Sequence, residues 1–339
     1  MSIRSRTTLG LALAGLAGLA GLLAVLMPAP ARAQGAATPF PSKPIRLIVP
    51  FAPGGPTDIF ARLFAERLSE VSGQQVIAEN RTGAGGNIAY GAAAKAAPDG
   101  HTLVIGTTGL VTNPLLYKSV PFDAEGDFQP VALLATAPLV LLAPPQPAGT
   151  LGELVARLKS AEVRPTYPSG GNGASTHLAS ELFKRETGVQ AQHVPYRGSG
   201  PAFLDMIAGR HAFMVETIAA SKPFVNAGQL RILAVAADKR TAAAPSVPTF
   251  AESGIPGIVA FTWNMVLAPA RTPPAVIETL NRMANAAVTD TALARRTSEM
   301  AIDLITDSTP ASAAAFLAAE RRRWAGVIKS SGITIDEQP

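Results

Sequence analysis

The segment Gly173-Ala174-Ser175-Thr176-His177 comes nearest to a catalytic motif in this chain. It matches a nucleophile elbow, G-x-S-x-G, except that His177 stands where the second glycine belongs. A nucleophilic serine also needs a base within hydrogen-bond reach and a third group to orient that base. His101, His177, His193 and His211 are the candidate bases, and no local context marks any of them. They lack the H-x-x-x-H spacing of a helical metal pair, and the chain has no cysteine to supply thiolate. Nucleotide chemistry fares no better. There is no G-x-x-x-x-G-K-[ST], and Gly83-Ala84-Gly85-Gly86-Asn87-Ile88 lacks the last glycine of a dinucleotide fingerprint. No carboxylate pair stands out as an acid and its base. The expectation is no catalytic residue, no metal and no cofactor.

The residues that remain are suited to binding. Polar, glycine-rich loops recur at Pro50 to Asp58, Arg81 to Asn87, Gly106 to Gly109, Ser169 to Thr176 and Tyr196 to Pro201. Each falls where a strand-like run gives way to a helical pattern. Glycine lets a backbone approach a ligand closely. The free N–H groups of a helix's first turn, helped by its dipole, attract anions such as carboxylates. In open parallel sheets ligands sit beyond the carboxyl ends of the strands. Several such loops therefore describe a cleft that grips an anion through backbone donors. Asp58 reads either as a first-turn helix acid or as a group that orients donors. Glu216 reads as an acceptor for an ammonium or hydroxyl, or as a solvated loop acid. Trp263 reads as hinge packing or as a cleft wall.

The elements that must carry these loops are legible as an alternation. Ile45 to Val49, Val76 to Ala78 and Leu103 to Ile105 read as buried strands. Between them, Ile59 to Val71 and Asn87 to Ala97 carry helical patterns, the first closed by Gly73. Thr150 and Glu153 form a capping box that opens a helix running to about Ser160. Helix, strand, helix and strand continue through Ala202 to Ala208, Phe213 to Val215, Ile218 to Asn226 and Ile232 to Ala236. Pro274 to Val288 and a last helix capped by Thr309, with Pro310 at its first position, complete the chain. The alternation predicts an α/β fold with parallel sheets and crossover helices. Leu139 to Leu142 and Val259 to Leu267 lack a partner within one domain, so they read as strands crossing between two domains. That division places 34–138 plus 263–339 in the first, discontinuous domain and 139–262 in the second.

Residues 1–33 read as a removable leader rather than as part of this fold. Arg4 and Arg6 precede an apolar run from Leu9 to Met27, and Ala31 and Ala33 suit a small-residue cleavage site. The expected location is thus periplasmic, with cleavage near Ala33. The absence of cysteine suits an oxidising compartment. Arg4, Arg6 and Arg32 leave with the leader, which reduces the formal charge from +5 to +2. So small a charge gives no reason to expect nucleic acid as a partner.

At the loops the sequence also becomes recognisable. Pro41-Ser42-Lys43-Pro44-Ile45-Arg46-Leu47-Ile48-Val49-Pro50-Phe51-Ala52-Pro53-Gly54-Gly55-Pro56-Thr57-Asp58 resembles the opening of the Bug receptors, the periplasmic substrate-binding proteins of tripartite tricarboxylate transporters. The likeness continues through Glu79 to Asn87, Ala97 to Gly100, Asn113 to Tyr117, Gly171 to Gly173, His193 to Gly198, Val247 to Thr249 and Leu267 to Pro269, in order. It implies a type II periplasmic binding protein fold, two α/β domains joined by two crossing strands. It implies capture of a small carboxylate: an organic acid, an acidic amino acid or a related compound. By that likeness Phe51, Gly54, Gly55, Thr57, Asp58, Thr107 and Thr108 form one jaw. Gly171, Asn172, Gly173, Ser175, Thr176, Tyr196, Arg197, Gly198, Glu216 and Thr217 form the other. The expected partners are the ligand and either inner-membrane transporter subunits or a sensor protein, with the receptor itself a monomer. An exported hydrolase using Ser175 is the rival reading. One departure bears on the ligand. The family's Asp and following Pro-Ser pair are replaced by Glu216-Thr217-Ile218-Ala219-Ala220, so the ligand is not taken to be citrate.

Overall fold

The computed structural model describes residues 40–146, 149–160, 162, 164–196 and 198–334; the leader and its cleavage site lie outside them. The chain opens with β1 (Ile45–Val49), α1 (Pro56–Ser72), β2 (Val76–Asn80), α2 (Asn87–Ala94), β3 (Thr102–Gly106) and α3 (Thr108–Leu116). Next come β4 (Phe128–Ala143), α4 (Leu151–Lys159), β5 (Thr166–Ser169), α5 (Ser175–Thr187), β6 (Gln192–Pro195) and α6 (Ser199–Ile207). The remainder is β7 (Met214–Thr217), α7 (Ile218–Asn226), β8 (Arg231–Val235), β9 (Phe261–Pro269), α8 (Pro274–Val288), α9 (Thr291–Glu299), β10 (Asp303–Leu304) and α10 (Pro310–Ser331).

Local sequence explains most of these boundaries. Pro56 starts α1 at a position whose N–H would go unpaired, and Gly73 ends it in the left-handed conformation. Thr150 and Glu153 form the expected reciprocal cap on α4. Thr309 caps α10, with Ser312 rather than an acid completing the box. The strand after Phe128 is longer than its pattern indicated. Residues 128 to 138 were not expected to continue the Leu139 to Leu142 run, because Pro130 and Pro138 interrupt it.

The sheet is mixed, whereas the alternation predicted parallel pairing. It runs β10-β4-β9-β3-β1-β2, with β7 and β8 also paired to β4. Among the described strands, β1 with β2 and β3, and β5 with β6, pair in parallel. β9 lies antiparallel to both β3 and β4. Antiparallel order follows from β4 and β9 being traversed in opposite directions as the chain leaves the first half and returns. β4 serves both halves: residues from Phe128 to Pro138 pair with β9, and those from Leu139 onward pair with β7 and β8. The partner exchange falls beside Pro138, which has no N–H to give to a ladder.

One apolar core passes through both halves, with Tyr90, Phe128, Leu139, Phe183, Trp263 and Trp324 all buried in it. Helix α10 binds it together by touching β4, α3 and α5. Trp263 and Trp324 both donate their indole N–H to Glu320 Oε2, each at 3.1 Å. Arg323 pairs with the other carboxylate oxygen at 2.9 Å. Burial pushes the Glu320 pKa above the usual carboxylate range, even though Arg323 and the two indoles favour the charged form. Among the described residues no helix is long and apolar enough to cross a membrane.

Glu320→Ala would leave two buried indole donors without an acceptor, so it should cost about 2–4 kcal/mol of folding stability. Glu320→Gln keeps an acceptor oxygen and should cost less than half as much. Urea unfolding midpoints of the two variants decide this, and equal losses would rule out the hydrogen bonds as the source.

Candidate functional site

A small cavity of about 30 Å³ lies where the two halves of the sheet meet, with walls from four sources. Pro56 and Thr57 come from the start of α1, and Thr217 and Ala219 come from the junction of β7 and α7. Ala137, Thr262 and Asn264 come from β4 and β9, and Met300 and Ile302 close one side. No charged side chain lines it among the described residues.

The first jaw is ordered by Asp58 from within. Its carboxylate accepts from the Gly54 N–H at 2.9 Å, Arg62 Nε at 3.0 Å and Asn80 Nδ2 at 2.7 Å. Asn80 Nδ2 also donates to the Phe51 carbonyl, and Arg62 donates to Asn80 Oδ1. Burial would raise the Asp58 pKa, but the bonds from Arg62, Asn80 and Gly54 outweigh it and hold the group below its ordinary range. The carboxylate is thus committed to the loop. Gly54 adopts φ +86°, which a side chain would resist, and Gly55 caps α1. Phe51 is exposed on the same loop. Thr107 caps α3, with its N–H and hydroxyl both tied to the Tyr90 hydroxyl, and Thr108 opens that helix. Neither threonine lines the cavity.

The second jaw is a chain of contacts leading to Glu216. Tyr196 N–H donates to the Ser169 carbonyl and Gly198 N–H to the Gly170 carbonyl. Ser199, the first residue of α6, donates its hydroxyl to Glu216 Oε2, while Thr217 N–H donates to Glu216 Oε1. Glu216 is buried, and burial pushes its pKa up despite these donors. Like Asp58, it holds loops in place. Gly171 sits at φ +140° and Asn172 is exposed; Ser175 and Thr176 begin α5. The Tyr196 hydroxyl is taken up inside its own half, donating to Asp205 at 2.6 Å and lying 2.8 Å from His211 Nε2. Arg197 lies outside the described residues.

Beneath the Ser169 to Thr176 loop, His177 and His193 stack with ring centroids 3.7 Å apart. His177 Nδ1 accepts from the Gly173 N–H at 3.1 Å, so this ring carries its proton on Nε2. His193 Nε2 lies 2.7 Å from Ser169 Oγ, which in turn donates to the Gly171 carbonyl. No hydrogen bond joins either imidazole to Ser175 among the described residues. Desolvation, with the Lys184 charge, lowers the His177 pKa from 6.5 to about 4. Desolvation and the neighbouring His177 lower His193 to about 3, with Lys184 adding to this and Glu181 opposing it.

Thr57 and Thr217 are thus the expected site residues that reach the cavity. The residues missed are on the crossing strands. Trp263 points to α10, where it meets Phe316 edge-on, while its neighbours Thr262 and Asn264 face the cavity. The signal was present: a strand alternates sides, and Thr262 and Asn264 are polar residues two apart within an otherwise apolar run.

The histidine pair implies a pH dependence of definite sign. Both folded pKa values lie below 6.5, so the pair's contribution is complete above pH 6.5. It falls as the unfolded chain takes up protons that the folded loop resists, down through about 4 and then about 3. The melting temperature should therefore drop as pH falls from about 6.5 to 4. His177→Asn, which keeps an acceptor near Nδ1 but cannot titrate, should flatten that decline. An unchanged slope in the variant would acquit the pair.

Comparison with known proteins agrees with this architecture. Residues 60–333 match the family model described as the tripartite tricarboxylate transporter family receptor. Protein BugT of Bordetella pertussis (strain Tohama I) is 37% identical over 300 residues, which is 88% of this chain and 92% of that one. An adipate-bound protein of R. palustris superposes with a TM-score of 0.78 at 36% identity, covering 87% of this chain and 99% of the other. MatC from Rhodopseudomonas palustris, with bound malate, gives 0.74 at 32% identity over 85% of this chain and all of its own. The fold is that of these solute-binding proteins, and the chain belongs to the tripartite tricarboxylate transporter receptor family.

Proposed function

We propose that this chain is a periplasmic receptor that closes two lobes on a small carboxylate and presents it to membrane subunits of a tripartite tricarboxylate-type transporter. The observation that carries the proposal is the cavity itself, since its walls come from both jaws and from the strands between them. The lobes are residues 34–138 with 263–339, and 139–262, moving about the crossing segments at Pro138 and before Trp263. Backbone donors in the first turns of α1, α3 and α5 hold the carboxylate, while the N–H groups of Gly54, Thr107, Gly173, Tyr196 and Gly198 are spent on bracing the loops around them. Asp58 and Glu216 keep those donors aimed instead of touching the ligand. The adipate and malate held by the R. palustris relatives support a carboxylate. The leader-like residues before Gln34 support export. On this reading the protein acts as a monomer and without catalysis.

The test is the melting temperature of residues 34–339 against organic acids, acidic amino acids, aromatic acids and neutral controls. A ligand at 100 times its Kd adds about 2.7 kcal/mol, which is a rise of about 5 °C or more in a protein of this size. A rise confined to neutral compounds would overturn the proposal.

Thr57→Val tests the site. The Thr57 hydroxyl makes no hydrogen bond among the described residues, yet the side chain lines the cavity. The variant should keep its unliganded melting temperature within about 2 °C, the scale of a benign surface change. It should bind the carboxylate roughly tenfold more weakly, the worth of one hydrogen bond. Gly171→Val is a poorer probe, because φ +140° makes any side chain there costly to the fold.

A further inference from the structure

Asn264 is the polar residue of this cavity whose buried side-chain atom lacks a hydrogen-bond partner among the described residues. It stands opposite Ala135 in the β4–β9 ladder, on the cavity side of the strand, and is 8% exposed. Its Oδ1 is buried with no partner among the described residues. A buried carbonyl oxygen left in that state is unfavourable unless a bound molecule completes it. The surroundings limit what that molecule can carry. Ala137, Ala219, Met300 and Ile302 are apolar, and the other polar groups are threonine hydroxyls. A second carboxylate at this end would be buried without a counter-charge, and it would offer Oδ1 no donor. An ammonium would satisfy Oδ1 but would also lack a counter-charge. A methyl group would leave Oδ1 unpaired. A hydroxyl can donate to Oδ1 and accept from Nδ2 at once, without bringing charge. The cavity, about 30 Å³ and roomy enough for about two waters, fits a group of that size.

We propose that Asn264 determines specificity by pairing with a hydroxyl at the inner end of the ligand, so that the preferred ligands are hydroxyl-bearing carboxylates with a single charge. This rests on the receptor reading above, with the carboxylate held by the loop backbones at the outer end. Asn264 is thereby a recognition residue in the strands about which the lobes close.

The test uses sets of acids that differ only at the end remote from one carboxylate. Butyrate, 4-hydroxybutyrate, 4-aminobutyrate and succinate make the four-carbon set, and the three- and five-carbon sets are built alike. Binding to residues 34–339 is measured by calorimetry for wild type and for Asn264→Leu, which is similar in size but has no polar atoms. In the best-fitting set the wild type should favour the hydroxyl member at least tenfold over the other three. Asn264→Leu should lose that preference and favour the methyl member, with the affinity for the methyl member at least maintained. Asn264→Ala serves if the leucine variant does not fold, and it should likewise abolish the preference. A wild type that prefers the dicarboxylate, or a preference unchanged in both variants, overturns the assignment while leaving the receptor reading intact. Failure of every carboxylate to bind overturns the receptor reading and the assignment with it.

Discussion

The cleft depends on a single strand satisfying two sets of hydrogen-bond partners. β4 runs from Phe128 to Ala143, and its neighbours change between Pro138 and Leu139. A proline at the exchange leaves no N–H stranded between ladders, and the Leu139 N–H finds the Ala260 carbonyl on the returning segment. The two halves are thus hung from one backbone, with a gap at the edge where neither sheet fills the space. The cavity occupies that gap. Its position follows from the pairing, and the jaws are brought to it because β1 and β7 end there.

The acids near the site are used in the same way in both halves. Asp58 gathers Gly54, Arg62 and Asn80; Glu216 gathers Ser199 and Thr217. A carboxylate spent on the protein's own N–H and O–H groups stiffens a loop and leaves neighbouring donors facing outward. That division suits an anionic ligand. A free carboxylate in the cleft would repel it, whereas one tied into the wall is balanced by its own partners. The stacked His177 and His193 extend the arrangement one layer deeper, since they hold Gly173 and Ser169 in their neutral forms.

On the opposite side of β9, Glu320 draws both tryptophans onto one carboxylate oxygen and fixes α10 across the two halves. β9 therefore has two unlike faces at adjacent residues. Trp263 is fully engaged with the helix behind it, and Asn264 Oδ1 has no partner among the described residues in the cavity before it. A rigid back and an unsatisfied front are what a binding strand requires. On the proposed reading, a ligand would meet a surface that does not need to reorganise, and the hydrogen bonds it completes would be new ones.

Much of this was legible in order along the chain. The caps at Thr150 and Thr309, the glycine stop at Gly73, and the apolar runs of β1 and β3 are local signals, because backbone geometry and neighbouring side chains settle them. The Gly-rich loops between strands and helices are legible for the same reason. Sequence also marked Leu139 to Leu142 and Val259 to Leu267 as strands without partners. Tertiary structure alone decided what those strands pair with, and so that the sheet is mixed. Pairing joins residues far apart in sequence, from 72 positions for Leu142 and Met214 to 163 for Val104 and Leu267, and no local pattern specifies its direction. It likewise decided that Trp263 faces α10 and Asn264 the cavity, since alternation separates the two but cannot say which side holds the helix. The fate of Asp58 and Glu216 was settled in the same way, by Asn80 and Ser199 arriving from other elements.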